Sequence, residues 1–513
     1  MTSHRPAIAP DRKNRKALIL PGGGMRVAYQ AGIVKALHDR GMRFSFADGA
    51  SGGTMNLAAL LSGIDPGDLC TRWRTLRVRD FVSLRSPGKY LQFPETGALG
   101  DFDGIEKSIF PHLGINAQKA AQAEGVSATF NVCNFDDKTV HAVAQKDIGH
   151  ELLLAGISLP IATPPVEYEG QNWTDAVWIR DCNLMATVKA GANELWVAWC
   201  IGNTPEFKDG LLDQYVHMIE MSAIGKLNEE LTEIAAINER IKDGEVPFGH
   251  KKPIAVHIIK PEIALPLDPD FLSGKIDADS LVAYGHRDAT RYLENMLPGG
   301  SPLTPVATKM REPGRGVHFR EVMRGKMTMG ESDPDKGYAC PAAFPLALHG
   351  TIDVDDINGF VIDPDHIGEL NGHIEMHKMG GWFPSARGIF GLFTPAPGEP
   401  KLQYMVYAMQ LRIGGQDYWF NGRKHVRVAG PWRLWRDTTT LYVTLHRGRD
   451  DSGEIVAAGR LHLGIADLFG LLSTLRATGP ARWWGKFKQA MKFFRFFAGE
   501  LVRIYIFRGR RGA

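Results

Sequence analysis

The 513-residue chain has no run of about 18 uncharged apolar residues, which argues against a membrane-spanning helix. Cysteine is scarce: Cys70, Cys133, Cys182, Cys200 and Cys340 are odd in number, widely spaced and free of any Cys-x-x-Cys pair. That argues against a disulfide framework or a zinc ribbon and reads as reduced thiols of a cytoplasmic protein. No Gly-Lys-Ser/Thr phosphate loop occurs, and Gly22-x-Gly24-x-x-Val27 lacks the third glycine of a dinucleotide fingerprint, which disfavours a nucleotide-dependent enzyme. Excess charge is also missing, since a net charge of +3 over 513 residues gives no argument for nucleic acid as a partner. Residues 1–15 are polar and basic without the apolar core of a secretory signal, and are expected to be a disordered lead-in.

What the chain does have is glycine in two telling places. Lys16 to Leu20 is a short apolar run that leads into Gly22-Gly23-Gly24-Met25-Arg26 and then a helical pattern to about Leu37. Consecutive glycines at a strand-to-helix turn leave unpaired N–H groups, suited to an oxyanion or a phosphate. Phe44 to Ala47 repeats the strand pattern before Gly49-Ala50-Ser51-Gly52-Gly53 and a helical run from Thr54 to Leu61. Strand, tight turn and helix are the context in which G-x-S-x-G describes a nucleophile elbow, with Ser51 at a helix N-terminus. The base is left open at this point. Seventeen histidines allow a Ser-His-Asp triad, whereas Asp175 is the best-placed carboxylate for acting on the serine directly.

Together these residues resemble the patatin-like phospholipase family. Gly22 to Arg26, with Gly32 and Leu37, is similar to its signature, and Gly49 to Gly53 to its elbow. Ala128–Asp136, Ala155–Pro160 with Pro164-Pro165, Asp175 sixteen residues before Gly191-Ala192-Asn193, Ile258–Pro261 and Tyr284–Ala289 follow in the family's order. The resemblance covers about residues 15 to 297 and implies a three-layer α/β/α hydrolase domain over 16–297. It implies a lipid ester substrate, catalytic Ser51 and Asp175 without histidine, metal or other cofactor, and an oxyanion hole from Gly22, Gly23, Gly24, Met25 and Arg26. Val27 and Ala176 stand where the family has glycine. The alternative they suggest is an inactive lipid-binding scaffold that keeps the fold.

Pro298–Pro302 and Glu312–Gly316 are rich in Pro and Gly and read as bounds of a linker, 298–316. Ahead of it, Leu227, Leu231, Ile234, Ile237 and Ile241 carry a long helical period that is expected to pack on the core or form a lid. Over 317–478, alternating runs such as Leu346–Val354, Tyr404–Ile413 and Thr440–His446 predict a mainly β, sandwich-like domain. Tyr418–Lys424 and Leu434–Leu441 resemble an accessory module of cholesterol-oxidase-like proteins. His373 and His377 have no evident third partner for a metal. From Arg482 to Arg511, nine Lys or Arg face one acid, Glu500, among many aromatics. Trp483, Phe487, Met491, Phe494, Ala498, Leu501 and Tyr505 fall at helical spacing, so 479–513 reads as an amphipathic helix. Trp483, Trp484, Phe487, Lys488, Phe494 and Arg495 are its candidate contacts to an anionic membrane surface, making the protein peripherally membrane-associated. The competing expectation is a terminal helix docked on the β domain. Residue types leave the particular ester and the oligomeric state open.

Overall fold

The computed structural model describes residues 15–76, 98, 100–203, 207, 209–266, 276–427, 431–479 and 483–507. The expected lead-in lies outside them except for Arg15, whose Nε donates to the Gly191 carbonyl at 2.7 Å. Two compact units, Met1–Arg311 and Glu312–Ala513, divide the chain.

The first unit is built on an eight-stranded mixed sheet. Its centre is parallel: β1 (Lys16–Leu20), β2 (Phe46–Ala50), β3 (Ser127–Asn134), β7 (Glu194–Ala198) and β8 (Ala255–Ile259) lie in the order β3-β2-β1-β7-β8. β4 (Thr139–Ala144) and β6 (Gln171–Asp175) run antiparallel to β3, and β5 (Val166–Tyr168) lies outside β6. The central strands are apolar nearly throughout because helices cover both faces. On one face Ala17, Ile19, Leu195 and Val197 pack with Leu227, Leu231 and Ile234 of the helix Leu211–Lys242. On the other, Trp196 stacks on His257 and meets Tyr292 of the helix Ala278–Asn295. That helix crosses Ala28–Asp39 where two glycines meet. A Cβ on Gly32 would lie 2.0 Å from the Val282 carbonyl oxygen, and one on Gly285 1.9 Å from that of Tyr29.

Most of the segment expected as a linker, 298–311, packs on the first unit, and the division between the units falls inside it, after Arg311. Gly300 forms a bridge with Val256, and Ala307 and Met310 are buried in the first unit's core. Richness in Pro and Gly here permits close approach rather than looseness: Gly300 has φ of 82°, and a Cβ on it would come 2.5 Å from the Val256 oxygen.

The second unit corrects the sandwich expectation. Its strands are β9 (Val317–Met329), β10 (Phe344–Val354), β11 (Ile367–Met376), β12 (Gly381–Pro384), β13 (Gly388–Pro395), β14 (Leu402–Ile413), β15 (Gln416–Arg427), β16 (Thr440–Arg447), β17 (Ile455–His462) and β18 (Arg476–Ala477). Successive strands pair antiparallel, and β9 pairs with both β10 and β17, so the sheet closes into a barrel. Local alternation is the same for a sandwich and a barrel. Closure is decided only by the long-range pairing of the first long strand with the last. Inside sit Phe319, Met323, Phe390, Phe420 and Leu445, together with a buried polar trio. Lys424 Nζ lies 2.7 Å from Glu321 Oε1, and Tyr407 Oη donates to Glu321 Oε2 at 2.7 Å.

The helix Trp483–Val502 docks on this barrel through Gln489, Phe493, Phe496 and Phe497, and the following turn buries Ile504 and Tyr505. Trp484, Phe487, Met491 and Phe494 form an exposed stripe with Lys488 and Arg495 also exposed. The helix therefore has two apolar faces, one docked and one open. Leu501 and Tyr505, expected on the open stripe, belong with the docked side. Among the described residues, no helix is long and apolar enough to cross a membrane.

Candidate active site

Ser51 stands between β2 and the helix Gly52–Leu61 with φ 48° and ψ −133°, a strained conformation for a non-glycine residue. The glycines around it explain how the strain is held. A Cβ on Gly53 would sit 2.0 Å from the Leu20 carbonyl oxygen, and one on Gly49 would press on the Leu57 side chain at 2.9 Å. The elbow is thus wedged against β1, with Ser51 projecting at the N-terminal end of a helix.

Asp175 closes β6 opposite Val132 of β3, and its own N–H donates to the Ser158 carbonyl at 2.9 Å. The structure brings Ser51 and Asp175 together. Burial pushes the Asp175 carboxyl up to about 7, against the lowering influence of a hydrogen bond from Ser51 and one from the Val177 N–H. Among the described residues no cation contributes, so burial alone carries the upward shift.

The glycine loop is partly committed. Gly22 N–H donates to Asp181 Oδ2 at 2.9 Å, and Arg26 N–H to the Gly23 carbonyl at 3.0 Å. Gly23 and Gly24, at φ of 148° and 56°, keep amides that donate to no protein group among the described residues. Arg26 is buried, with Nε on the Gly23 carbonyl at 3.1 Å and Nη1 3.5 Å from Glu220 Oε1. It braces the loop. Gln30 Nε2 holds the Pro21 carbonyl at 2.6 Å from the other side.

The two glycine departures are accommodated. Val27 has helical φ and ψ of −65° and −11°, and its Cγ1 fills the space where a Cβ on Gly52 would lie at 2.8 Å. Ala176 is fully buried and is not among the residues with positive φ, so that turn does not require glycine.

Sequence reading missed a layer of buried polar groups. Asp181 is fully buried beside the elbow, and burial together with nearby Asp175 raises its carboxyl well above the usual range. Its Oδ1 has no hydrogen-bond partner among the described residues. Asp48 accepts from Thr129 Oγ1, Asn131 Nδ2 and Asn183 N–H, and Asn131 Nδ2 also reaches the Gly49 carbonyl at 3.3 Å. This network ties the elbow to the chain that follows Asp175. Asp48 lies three residues before Ser51, inside β2, and Asp181 lies 130 residues after it, and no local pattern marks either as part of a buried network.

Large apolar side chains are exposed on segments that flank the Asp175 turn. Tyr215 Oη donates to the Pro160 carbonyl at 2.5 Å and its ring meets Trp178, which holds the first turns of the helix Leu211–Lys242 over the Asp175 segment. Ile161, Ile179, Phe207, Leu211, Met218 and Met221 are all exposed on these surrounding segments.

Residues 18–188 match the family model of the patatin-like phospholipases. Both Ser51 and Asp175 fall inside the patatin-like segment, as do the glycine loop and Asp181. The family consists of lipid acyl hydrolases. No curated protein matches the chain. Among solved structures it is similar to VipD from Legionella pneumophila at 12% identity, covering 57% of this chain and 72% of that one with a TM-score of 0.29.

Proposed function

We propose that the first unit is a serine lipid acyl hydrolase working through a Ser51–Asp175 dyad. The observation that carries this reading is the fully buried Asp175 carboxyl, held at about 7 with the Ser51 hydroxyl as its side-chain partner. Asp175 takes the Ser51 proton as Oγ attacks the carboxylic ester carbonyl. The tetrahedral oxyanion is met by the N–H groups of Gly23 and Gly24, while Gly22 and Arg26 hold the loop's shape. Collapse expels the alcohol, which takes the proton from Asp175. Water, deprotonated by Asp175, then attacks the acyl-enzyme, and as the Ser51 Oγ–acyl bond breaks the proton returns from Asp175 to Oγ and the fatty acid is released.

The apolar rim of Ile161, Ile179, Leu211, Met218 and Met221 favours a substrate presented by a lipid aggregate, whether phospholipid, lysophospholipid or neutral lipid. The resemblance of 317–478 to a module of cholesterol-oxidase-like proteins is in keeping with a lipid setting. The open face of the C-terminal helix, Trp484, Phe487 and Phe494 beside Lys488 and Arg495, supports peripheral binding to anionic membranes.

Covalent labelling by a fluorophosphonate tests the central reading. Labelling at Ser51 that is lost in Ser51→Ala is expected. An unlabelled Ser51 in folded protein overturns it in favour of the inactive scaffold.

A further inference from the structure

Outside the barrel, along β15, Asn421, Arg423, His425 and Arg427 alternate with the inward Gly422, Lys424 and Val426. They form one wall of a cavity of about 720 Å³. The neighbouring β16 adds Tyr442 and Thr444, the turn after β9 adds Ser332 to Asp335, and the segment 433–437 adds Arg433, Arg436 and Asp437.

Four arginines converge here, and the partners of the charged groups decide what the cavity can accept. The carboxylates are occupied. Asp333 accepts the N–H groups of Asp335 and Lys336 at 2.8 and 3.1 Å, capping the helix Pro334–Ala339. Asp335 is 3.0 Å from Arg460, and Asp437 takes the Tyr505 hydroxyl at 3.1 Å with Arg433 3.7 Å away. Arg423 is held by Asp451 at 3.2 Å. Arg427 and Arg436 have no carboxylate partner among the described residues, and Arg436 instead donates to Tyr442. On the same wall the His425 ring stacks on Tyr442, with centroids 4.7 Å apart. Burial and the two flanking arginines disfavour its protonation, so it offers a neutral ring with a hydrogen-bonding edge.

Asn421 and Thr444 are engaged by Asp451 and His446, and Arg436 also lies in the field of Asp335 and Asp437, so the two guanidinium groups without an ion pair, beside the stacked aromatic rings, are what suits a phosphate ester attached to a polar ring. The adjoining chain indicates its source. Trp432 and Trp435 are 82% and 50% exposed on the segment that carries Arg433 and Arg436. Exposed indoles beside arginines are the arrangement of a lipid–water interface rather than of a soluble-metabolite pocket.

We propose that this cavity binds the phosphorylated head group of a membrane lipid, giving the barrel a head-group-selective contact with the bilayer. The idea draws on the peripheral membrane reading only for where the ligand is presented. It is independent of Ser51 chemistry, which the fluorophosphonate experiment tests separately.

The test uses the full chain and phosphatidylcholine vesicles doped with a phosphatidylinositol phosphate, against vesicles matched in surface charge by phosphatidylserine. At least about tenfold tighter binding to the former is expected, a difference of about 1.4 kcal/mol. Soluble inositol phosphate should displace the protein from these vesicles. Arg427→Gln with Arg436→Gln should abolish the preference, since both side chains are exposed and the barrel core is untouched. Trp432→Ala with Trp435→Ala should weaken vesicle binding but leave soluble inositol phosphate binding unchanged. Equal binding to the charge-matched vesicles, or selectivity that survives the double arginine change, overturns the proposal. So does inorganic phosphate competing as well as the inositol phosphate, which would mark a free-anion site.

Discussion

The barrel interior and the candidate active site treat a buried carboxylate in opposite ways. In the barrel, the carboxylate of Glu321 meets Lys424 Nζ at 2.7 Å and the Tyr407 hydroxyl at the same distance, so an interior polar group is matched on the spot. In the α/β unit, Asp175 and Asp181 are buried with no cation in contact, and desolvation dominates both. A matched trio fixes architecture, whereas an unmatched carboxyl is a proton acceptor held ready. The α/β unit gives up stability at the place where chemistry is proposed.

This contrast can be broken most severely at the dyad. Ser51→Ala and Asp175→Asn should each lower the hydrolysis rate on a chromogenic acyl ester by about 10³-fold or more, with circular dichroism unchanged. Because Asp175 is raised when folded, the native state binds the extra proton between its unfolded pKa and about 7, so its burial costs stability as pH rises through that window. Asp175→Asn should consequently show a higher Tm than the parent at pH 8, by about 2–4 °C, and no such gain at pH 4. An Asn variant that is less stable at pH 8 would remove the contrast.

Next in size is the barrel. Lys424→Met or Glu321→Leu alone should destabilise the second unit by about 3–5 kcal/mol in a denaturant titration, whereas the double change recovers most of the loss. Fluorophosphonate labelling of Ser51 should persist in the double variant.

The pH profile sharpens the comparison further. The active form needs ionised Asp175, so kcat should fall about tenfold per unit as pH drops below about 7, with a plateau above. A plateau reaching pH 5 would show the carboxyl to be unperturbed. The smallest effect is expected at the position where glycine was anticipated. Ala176→Gly should cost about 1 kcal/mol or less and leave activity within a few-fold, because Ala176 needs no positive φ.

Much of the site was legible in residues that act through their own neighbourhood. Gly49 to Gly53 and Gly22 to Gly24 are readable because a tight strand-to-helix turn excludes side chains whatever the rest of the chain does. Asp175 stood out as the best-placed carboxylate, but only the family resemblance chose it over a histidine, since a lone aspartate has no local mark. Asp181 was not readable, nor was its claim on the Gly22 amide, because the two residues are 159 apart and meet only in the folded sheet. The C-terminal helix was legible as a helix, but not as one with two apolar faces. Aromatics on several sides are compatible with any choice of docked face.

Taken alone, the order of residues determined the strands and helices, the strained serine turn and the alternation that makes long antiparallel strands. These depend on backbone sterics and on periods of two and 3.6, which act within a few residues. Tertiary structure alone decided that β9 closes the barrel against β17, that residues 298–311 pack rather than link, and which glycine amides remain open. It also decided which carboxyls are buried without an ion pair. Those outcomes depend on distances between groups remote in the chain, and a pKa or a closed sheet is a property of such distances.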